Sequence, residues 1–223
     1  MILKLFVNYY CDNNTLRADE VNKCFVFNLK NDEINHHYIL IKNDDIELFN
    51  TLVNLNNINE TKYTLIPFEE RPTFRQFFEL TRLNSTEDEL TVISNSDIII
   101  PSEDIKKIKQ WDWDGNYCMA LCRYDIINEN PLEYEFFNRG DSQDVWIVKG
   151  GFKDHESSEF TLGILGCDNK IAYYLNEQYI LINPSLDIIT LHLHITNIRN
   201  YDNSNKLNKP YHLIPPEKLT KLN

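Results

Sequence analysis

Polar side chains that could hold a metal ion interrupt an apolar run near the middle of the chain. The run begins at Leu90 and resumes as Ile98-Ile99-Ile100, with Asn95-Ser96-Asp97 between its two parts. If all of 90–100 is extended, as in a buried parallel strand, Asn95 and Asp97 point to the same side because side chains alternate. Two oxygen-bearing side chains at a strand end are suitable ligands for a divalent cation. An Asx turn that closes the strand is the alternative interpretation.

Two histidines near the C-terminus form a second candidate for a metal site. In Thr190-Leu-His-Leu-His-Ile195, the imidazoles of His192 and His194 alternate with apolar residues. On a strand over 188–195 both imidazoles lie on one face, where both bind an ion, or one binds it and the other contacts a phosphate. The alternative is a solvent-facing strand edge that carries two incidental histidines.

Two further segments carry carboxylates that could contact a sugar. Asp144 precedes an aromatic-rich strand, where it could accept a hydrogen bond from a sugar hydroxyl while Trp146 packs under the ring. Turn chemistry for Asp144 and core packing for Trp146 are the alternatives. Asp168 precedes a predicted helix, where it serves as the helix cap or as a base that aligns an attacking hydroxyl.

Aromatic and cationic side chains complete the set of candidates. Tyr9 ends the first predicted strand, where its ring could stack on a nucleobase or could pack half-buried. Arg71 and Arg75 open an aromatic helix, and Arg123 ends the strand predicted over 118–124. Each arginine could neutralise a phosphate in this acidic chain or form a surface ion pair.

Composition argues against several classes of protein. The chain has 223 residues and a formal charge of −12, with a pI near 4.9. This charge argues against nucleic acid as a partner, because a phosphate backbone requires a basic surface. With six glycines and no GxGxxG or Walker pattern, a glycine-rich phosphate loop is not expected. Five cysteines without a CxxC pair indicate reduced thiols, and no signal peptide or long apolar run is evident, so we expect a cytoplasmic protein without a membrane span.

The elements that must position these residues alternate between strands and helices. Strands are predicted over 2–9, 37–41, 63–67 and 90–100, with helices over 15–28, 46–55 and 72–83 between them. The later part is less regular, with strands predicted over 118–124, 144–149, 179–182 and 188–195 and a helix over 168–177. The alternation predicts a single α/β domain, in which helices flank a mostly parallel sheet. A polar tail from residue 197 is expected to wrap over the surface.

Together these segments resemble a GT-A-fold glycosyltransferase of the nucleotide-diphospho-sugar transferase superfamily. The resemblance covers most of the chain in order, and it rests on the strand–helix alternation together with Arg71-Pro-Thr-Phe, Ile93-Ser-Asn-Ser-Asp97, Asp141-Ser-Gln-Asp-Val-Trp146, Gly166-Cys-Asp-Asn169 and His192-Leu-His194. It implies a Rossmann-like mixed sheet. It also implies a nucleotide-sugar-binding half over 1–100 and an acceptor-binding half with a C-terminal tail over 101–223.

The resemblance further implies a metal centre. GT-A enzymes carry an Asp-x-Asp motif that ligates a divalent metal, commonly Mn²⁺ or else Mg²⁺, which binds the diphosphate of the donor. The motif maps onto Asn95-Ser96-Asp97, where Asn replaces the first acid. A late histidine of the metal shell corresponds to His192 or His194, and a phosphate-contacting Lys-Pro-aromatic segment corresponds to Lys209-Pro-Tyr211.

The implied reaction moves a sugar from a UDP- or GDP-sugar to a glycan or another hydroxyl acceptor. The resemblance assigns the acid near the acceptor to Asp168 or Asp144, with Asp168 as the base in an inverting enzyme or as an orienting group in a retaining one. It places Trp146 and Asn169 at the acceptor. Tyr9 and Arg71 would then contact the donor.

Three other functions remain open at this stage. A sugar nucleotidyltransferase shares the fold, but its glycine-rich basic loop after the first strand has no counterpart in Asn8-Tyr-Tyr-Cys-Asp-Asn13. A non-catalytic sugar-binding module is favoured by Asn95. A metal-dependent phosphoesterase built on Asp97, His192 and His194 is the third alternative.

Overall fold

The structure, a computed structural model, describes residues 1–198 and 206–219. Within these ranges the chain forms five α-helices, Thr15–Lys30 (α1), Ile46–Leu55 (α2), Phe74–Asn84 (α3), Ser102–Gln110 (α4) and Cys167–Asn176 (α5). The strands of the same ranges are Leu3–Tyr9 (β1), His36–Lys42 (β2), Tyr63–Phe68 (β3), Leu90–Ser94 (β4), Ile98–Ile99 (β5), Tyr117–Leu121 (β6), Tyr124–Glu129 (β7), Leu132–Phe136 (β8), Val145–Lys149 (β9), Ile180–Ile182 (β10) and Leu191–His192 (β11).

The larger sheet confirms the predicted α/β architecture. In the described part of the chain it has seven strands in the order β10-β6-β9-β4-β1-β2-β3. All neighbouring pairs in this sheet are parallel except those of β9, which is antiparallel to both β4 and β6. Strands from both halves of the sequence therefore share one sheet.

Helices cover both faces of this sheet, so its central strands are buried on both sides. Apolar residues of α1, α2 and α4 belong to one core cluster, and those of α3 and α5 belong to another. Local capping fixes where the helices begin. The side chain of Asn14 accepts hydrogen bonds from the first turn of α1, and Thr73 with Gln76 forms a capping box at the start of α3.

Two predicted strands are wrong because each changes sheet partway along. The chain leaves β4 after Ser94, turns through 95–97, and enters β5 of a second sheet. The segment 118–124 divides in the same way at Cys122 and Arg123 into β6 and β7. The second sheet has the order β5-β11-β7-β8 within the part of the chain that is described. Polar side chains at both breaks form hydrogen bonds in addition to those of strand pairing, those of Ser96 and Arg123 among them. These bonds favour a turn over a continued strand.

Three other differences concern short elements. The strand predicted over 188–195 is reduced to β11, and α4 and β8 were not predicted. Part of the polar tail, residues 199–205 and 220–223, lies outside the described residues. The segment 206–214 packs against the α5 end of the molecule, where the backbone N–H of Leu207 donates to the carbonyl of Leu165 over 2.9 Å.

Candidate metal and sugar-transfer site

The topology brings the ends of several strands to one edge of the large sheet. Val145, the first residue of β9, pairs with the last residue of β4, Ser94, and with the last residue of β6, Leu121. Because β9 runs antiparallel to both neighbours, the residue before β9 meets the residues that follow β4 and β6. Asp144 and Asn95 are therefore neighbours, and the backbone N–H of Asn95 donates to the carbonyl of Asp144 over 3.0 Å.

Asn95 and Asp97 bind different partners, so the extended geometry behind their predicted shared ligation does not form. The amide Nδ2 of Asn95 donates to Oδ1 of Asp144 over 2.7 Å. Asp97 instead faces His192 and Arg17. Alternation applies only to an extended backbone, and residues 95–97 form a turn in which Ser96 donates its hydroxyl to the carbonyl of Asn8.

Asp97, His192 and His194 form a compact group of possible metal ligands. Nε2 of His192 lies 3.2 Å from Oδ2 of Asp97, and the centroids of the two imidazoles are 5.4 Å apart. One ligand atom from each residue lies within 4.8 Å of the others. Two ligands of one ion, each about 2.1 Å from it, are about 3.4–4.2 Å apart, so binding an ion would draw these atoms slightly closer together. The three ligand atoms therefore lie near enough to share a divalent cation, while the amide Nδ2 of Asn95 is directed to Asp144.

Each of these three side chains also forms a hydrogen bond, through one atom, with a residue outside the group. Nδ1 of His192 lies 2.7 Å from Oδ1 of Asp125, and Nε2 of His194 lies 2.7 Å from the carbonyl oxygen of Ile198. The side-chain hydrogen bonds of Asp97 to described residues all involve Oδ2, which Arg17 contacts. Metal ligands usually have such outer partners, since these fix the orientation of the donor atom. An ion would be held through Nε2 of His192, Nδ1 of His194 and Asp97.

Arg17 supplies a buried positive charge beside Asp97. The side chain lies in the first turn of α1, is 4% exposed, and donates from Nη1 to Glu20 and to the carbonyl of Leu193, each over 2.9 Å. Burial alone would raise the pKa of Asp97, but His192 and Arg17 outweigh it and hold that pKa well below its usual range. Burial lowers the pKa of His192, whereas Asp97 and Asp125 raise it to a net value of about 9.

A chain of alternating charges connects this metal group to Asp144. Arg123 donates from Nε to Oδ1 of Asp125 over 2.8 Å and from Nη1 to Oδ2 of Asp144 over 3.1 Å. Asp144 is 5% exposed, and it also accepts the hydrogen bond from Asn95. These hydrogen bonds thus connect His192 to Asn95 through the side chains of Asp125, Arg123 and Asp144.

Asp168 lies in the first turn of α5 and not at its cap. The N-cap is Gly166, whose φ of +82° a residue with a Cβ would rarely adopt, and no side chain caps the helix. The thiol of Cys167 donates to Oδ1 of Asp168 over 3.2 Å. Burial and the negative charge of Asp144 raise the pKa of Asp168 to about 8, so a proton remains on this carboxyl near neutral pH.

Asn169, Arg71 and Lys209 lie around this helix start. Oδ1 of Asn169 is buried without a hydrogen-bond partner among the described residues, and its carbonyl accepts from the backbone N–H of His212 over 2.9 Å. The Arg71 guanidinium lies so close to Gly163 that an added Cβ there would collide with Nη2. Lys209 is exposed on the segment 206–214.

Two predicted ligand-contacting aromatics lie in the core instead. Tyr9 is 1% exposed, and its ring packs edge-on against Phe25 and Phe49 while its hydroxyl donates to Asn22. Trp146 is 2% exposed in the middle of the sheet. Neither ring offers a free face for a nucleobase or a sugar, because both point into the packed layers between sheet and helices.

Sequence reasoning missed Arg17, Glu20 and Asp125. Arg17 is 80 residues from Asp97 in sequence, so no local pattern links them. One signal was available, since the first turn of a helix that follows β1 must lie at the carboxyl edge of the sheet. Asp125 had a weaker signal, the spacing Arg123-x-Asp125 at the start of a strand.

Similar folds occur among enzymes that use nucleotides and sugars. The inositol-1-phosphate CTP transferase of T. maritima matches with a TM-score of 0.52 at 11% identity, over 89% of this chain and 92% of that one. The mannosyltransferase PcManGT of Pyrobaculum calidifontis, in complex with GDP-Man and Mn²⁺, also has a TM-score of 0.52 at 11% identity, over 86% of this chain and 56% of that one. HddC of Yersinia pseudotuberculosis complexed with GMP-PN matches at 0.50 and 10% identity, over 86% and 94% of the two chains.

These likenesses establish the fold. No family model and no curated protein matches the sequence. The arrangement of sheet and helices is shared with the CTP transferase and the mannosyltransferase, and it is the mixed α/β fold that the sequence resemblance implied. None of the described helices is long and apolar enough to cross a membrane.

Proposed function

We propose that the protein is a metal-dependent glycosyltransferase that moves a sugar from a nucleotide-diphosphate sugar to a hydroxyl acceptor. The observation that carries this proposal is the group Asp97, His192 and His194 at the ligand-binding edge of the sheet. Asp125 and Arg123 connect this group to Asp144, whose charge in turn acts on Asp168. One part can hold a cation for a diphosphate, and the other can accept a proton. Metal-assisted glycosyl transfer with inversion uses both.

The metal centre serves the leaving group. A bound divalent ion, which we expect to be Mn²⁺ or Mg²⁺, offsets the negative charge that develops on the departing nucleoside diphosphate. Asp97, His192 and His194 would hold that ion. The chain itself contributes further positive charge through Arg17 in this otherwise acidic protein. Arg71 and Lys209 are candidates for contacts with the donor phosphates.

The carboxylate pair serves the acceptor. Asp144 stays engaged with Arg123 and Asn95, so its role is to present a fixed negative charge next to Asp168. That charge makes Asp168 a stronger base, because it disfavours ionisation of the neighbouring carboxyl. Asp168 takes the proton of the acceptor hydroxyl as that oxygen attacks the anomeric carbon. Asn169, whose Oδ1 lacks a partner among the described side chains, would orient the acceptor.

A panel of UDP- and GDP-sugars, incubated with Mn²⁺ and assayed for nucleoside diphosphate release, tests this proposal. We expect release from one donor class, and its loss in Asp97→Asn and in His192→Gln. His155→Gln is the matched control, because His155 also pairs with a carboxylate, Nε2 lying 3.2 Å from Glu177 on the exposed surface. Undiminished release in the Asp97 and His192 variants would contradict the assignment of the site.

A sugar nucleotidyltransferase is the second candidate function. It is favoured by the match to the CTP transferase, whose length is covered almost completely by this chain, at 92%. The two functions give different products, since nucleotidyl transfer from a nucleoside triphosphate releases pyrophosphate. Incubation with nucleoside triphosphates and sugar 1-phosphates therefore separates them. We expect no release of pyrophosphate. Its release would contradict glycosyl transfer and would support nucleotidyl transfer as the function.

A further inference from the structure

Backbone pairing places Asp125 opposite His192. Strands β7 and β11 are parallel neighbours in the small sheet, and His192 is the registered partner of Asp125. Oδ1 of Asp125 lies 2.7 Å from Nδ1 of His192, a charge-assisted hydrogen bond. The other ring nitrogen, Nε2, faces Asp97 at 3.2 Å. The hydrogen bond to Asp125 therefore fixes the orientation of the His192 imidazole.

Asp125 is in turn fixed by Arg123. Nε of Arg123 donates to the same Oδ1 over 2.8 Å, while Nη1 binds Asp144 over 3.1 Å. The guanidinium is only 14% exposed and forms a rigid planar donor, so it locks the carboxylate in place. The side chain of Asp125 is 36% exposed and belongs to no core cluster of the described chain. Packing therefore does not require a carboxylate at this position.

We propose that Asp125 is the positioning residue of the metal centre. By accepting the hydrogen bond from Nδ1–H of His192, it keeps the proton on that nitrogen and turns Nε2 towards Asp97 and the ion. Asp125 acts through His192 and does not touch the ion. The inference rests on the proposed function, since it presupposes the metal centre, and it adds a residue that sequence reasoning missed.

The expected effect is a change in metal affinity. An outer carboxylate fixes the tautomer of a ligating imidazole and raises its basicity, and its removal costs about 10–100-fold in metal affinity. Titration calorimetry with MnCl₂ alone measures this affinity without any sugar donor. We expect Asp125→Ala to weaken Mn²⁺ binding by about 10–100-fold, with an unchanged circular dichroism spectrum.

Two variants separate positioning from a general structural effect. Asp125→Asn keeps the Oδ1 acceptor that both His192 and Arg123 use but loses the negative charge, so its affinity for Mn²⁺ should lie between those of the wild type and Asp125→Ala. Asp154→Ala is the matched control, because Asp154 is a half-exposed carboxylate, 49% exposed, that pairs with Arg75 on α3. It should leave Mn²⁺ binding unchanged.

The outcomes distinguish this inference from the proposed function. Wild-type Mn²⁺ binding that Asp125→Ala leaves intact, or Asp125→Asn as weak as Asp125→Ala, overturns the positioning role and leaves the metal centre standing. No Mn²⁺ binding by the wild type overturns both. Nitrogen-15 NMR of the Zn²⁺-loaded wild-type protein gives a check that needs no variant. We expect Nε2 of His192 on the metal and a proton on Nδ1, and coordination through Nδ1 would overturn the inference.

Discussion

Asp168 should set the pH dependence of sugar transfer. Burial and the negative charge of Asp144 raise its pKa from 3.8 to about 8, and a base must be ionised to accept a proton. With a pKa of about 8, about 1% of the carboxyl is ionised at pH 6 and about half at pH 8. The rate with limiting donor should therefore rise about 50-fold over this range and level off near pH 9.

The assay is kcat/KM for transfer from pH 5.5 to 9.5 at constant Mn²⁺, followed by release of the nucleoside diphosphate. Asp168→Asn keeps the size of the side chain but cannot accept the proton, so transfer should fall by at least about 10²-fold. Asp154→Asn, at an ion-paired carboxylate on the α3 side, should keep the wild-type profile. A wild-type profile that is flat between pH 6 and 8, or an Asp168→Asn variant of normal rate, refutes the reasoning.

The same pKa predicts an effect on stability. Because the folded-state pKa of Asp168 is raised, the carboxyl contributes its full stability below the unfolded value, and this contribution is lost as pH rises through about 8. Asp168→Asn should therefore gain stability over the wild type as pH rises from 4 to 8, by up to about 1.4 kcal/mol per pH unit. Urea unfolding at pH 5 and pH 8 measures the difference. Equal differences at both pH values would contradict an Asp168 that is protonated in the folded state near neutral pH.

Three further substitutions test packing at the start of β2, beside β5 and at the start of α5. His37 is 1% exposed, and burial lowers its pKa to about 4. As pH falls from 6.5 to 4, the free energy of unfolding of the wild type should therefore decrease by up to about 3 kcal/mol relative to that of His37→Leu. Equal pH dependence of the two proteins in acid unfolding would contradict this. Asn28 donates to the carbonyl of Ile98 over 2.8 Å and accepts from the N–H of Ile100 over 3.1 Å, so Asn28→Ala should cost about 2 kcal/mol in urea unfolding, and an unchanged midpoint would refute it. Gly166→Ala places a Cβ 2.9 Å from the Tyr211 hydroxyl at a positive φ, so it should lower stability by about 1–3 kcal/mol, and a wild-type melting temperature would contradict that strain.

Sequence periodicity predicted the architecture because most elements are long and strongly patterned. The strands β1 to β4 and the helices between them follow from apolar runs and their spacing. It failed where a polar interruption has two physical outcomes. The triplet 95–97 could continue a strand or form a turn, and tertiary contacts such as that of Ser96 with Asn8 select the turn. That selection separates the directions of Asn95 and Asp97.

The site was predictable only where its residues are neighbours in sequence. The spacing of His192 and His194 placed both imidazoles together, and the structure brings them together even though β11 ends at His192. The resemblance, not the spacing, predicted that Asp97 belongs to the same metal centre as these histidines. Arg17 and Asp125 come from α1 and β7, and their contacts depend on how the two sheets pack, which no local pattern encodes.

The most direct test of the account is a crystal structure of the protein soaked with Mn²⁺ and a nucleoside diphosphate, with anomalous diffraction to locate the ion. The account predicts one Mn²⁺ within about 2.2 Å of Asp97 and of at least one of His192 and His194, in contact with the diphosphate. A diphosphate held without an ion at these residues, or an ion held elsewhere, would contradict it.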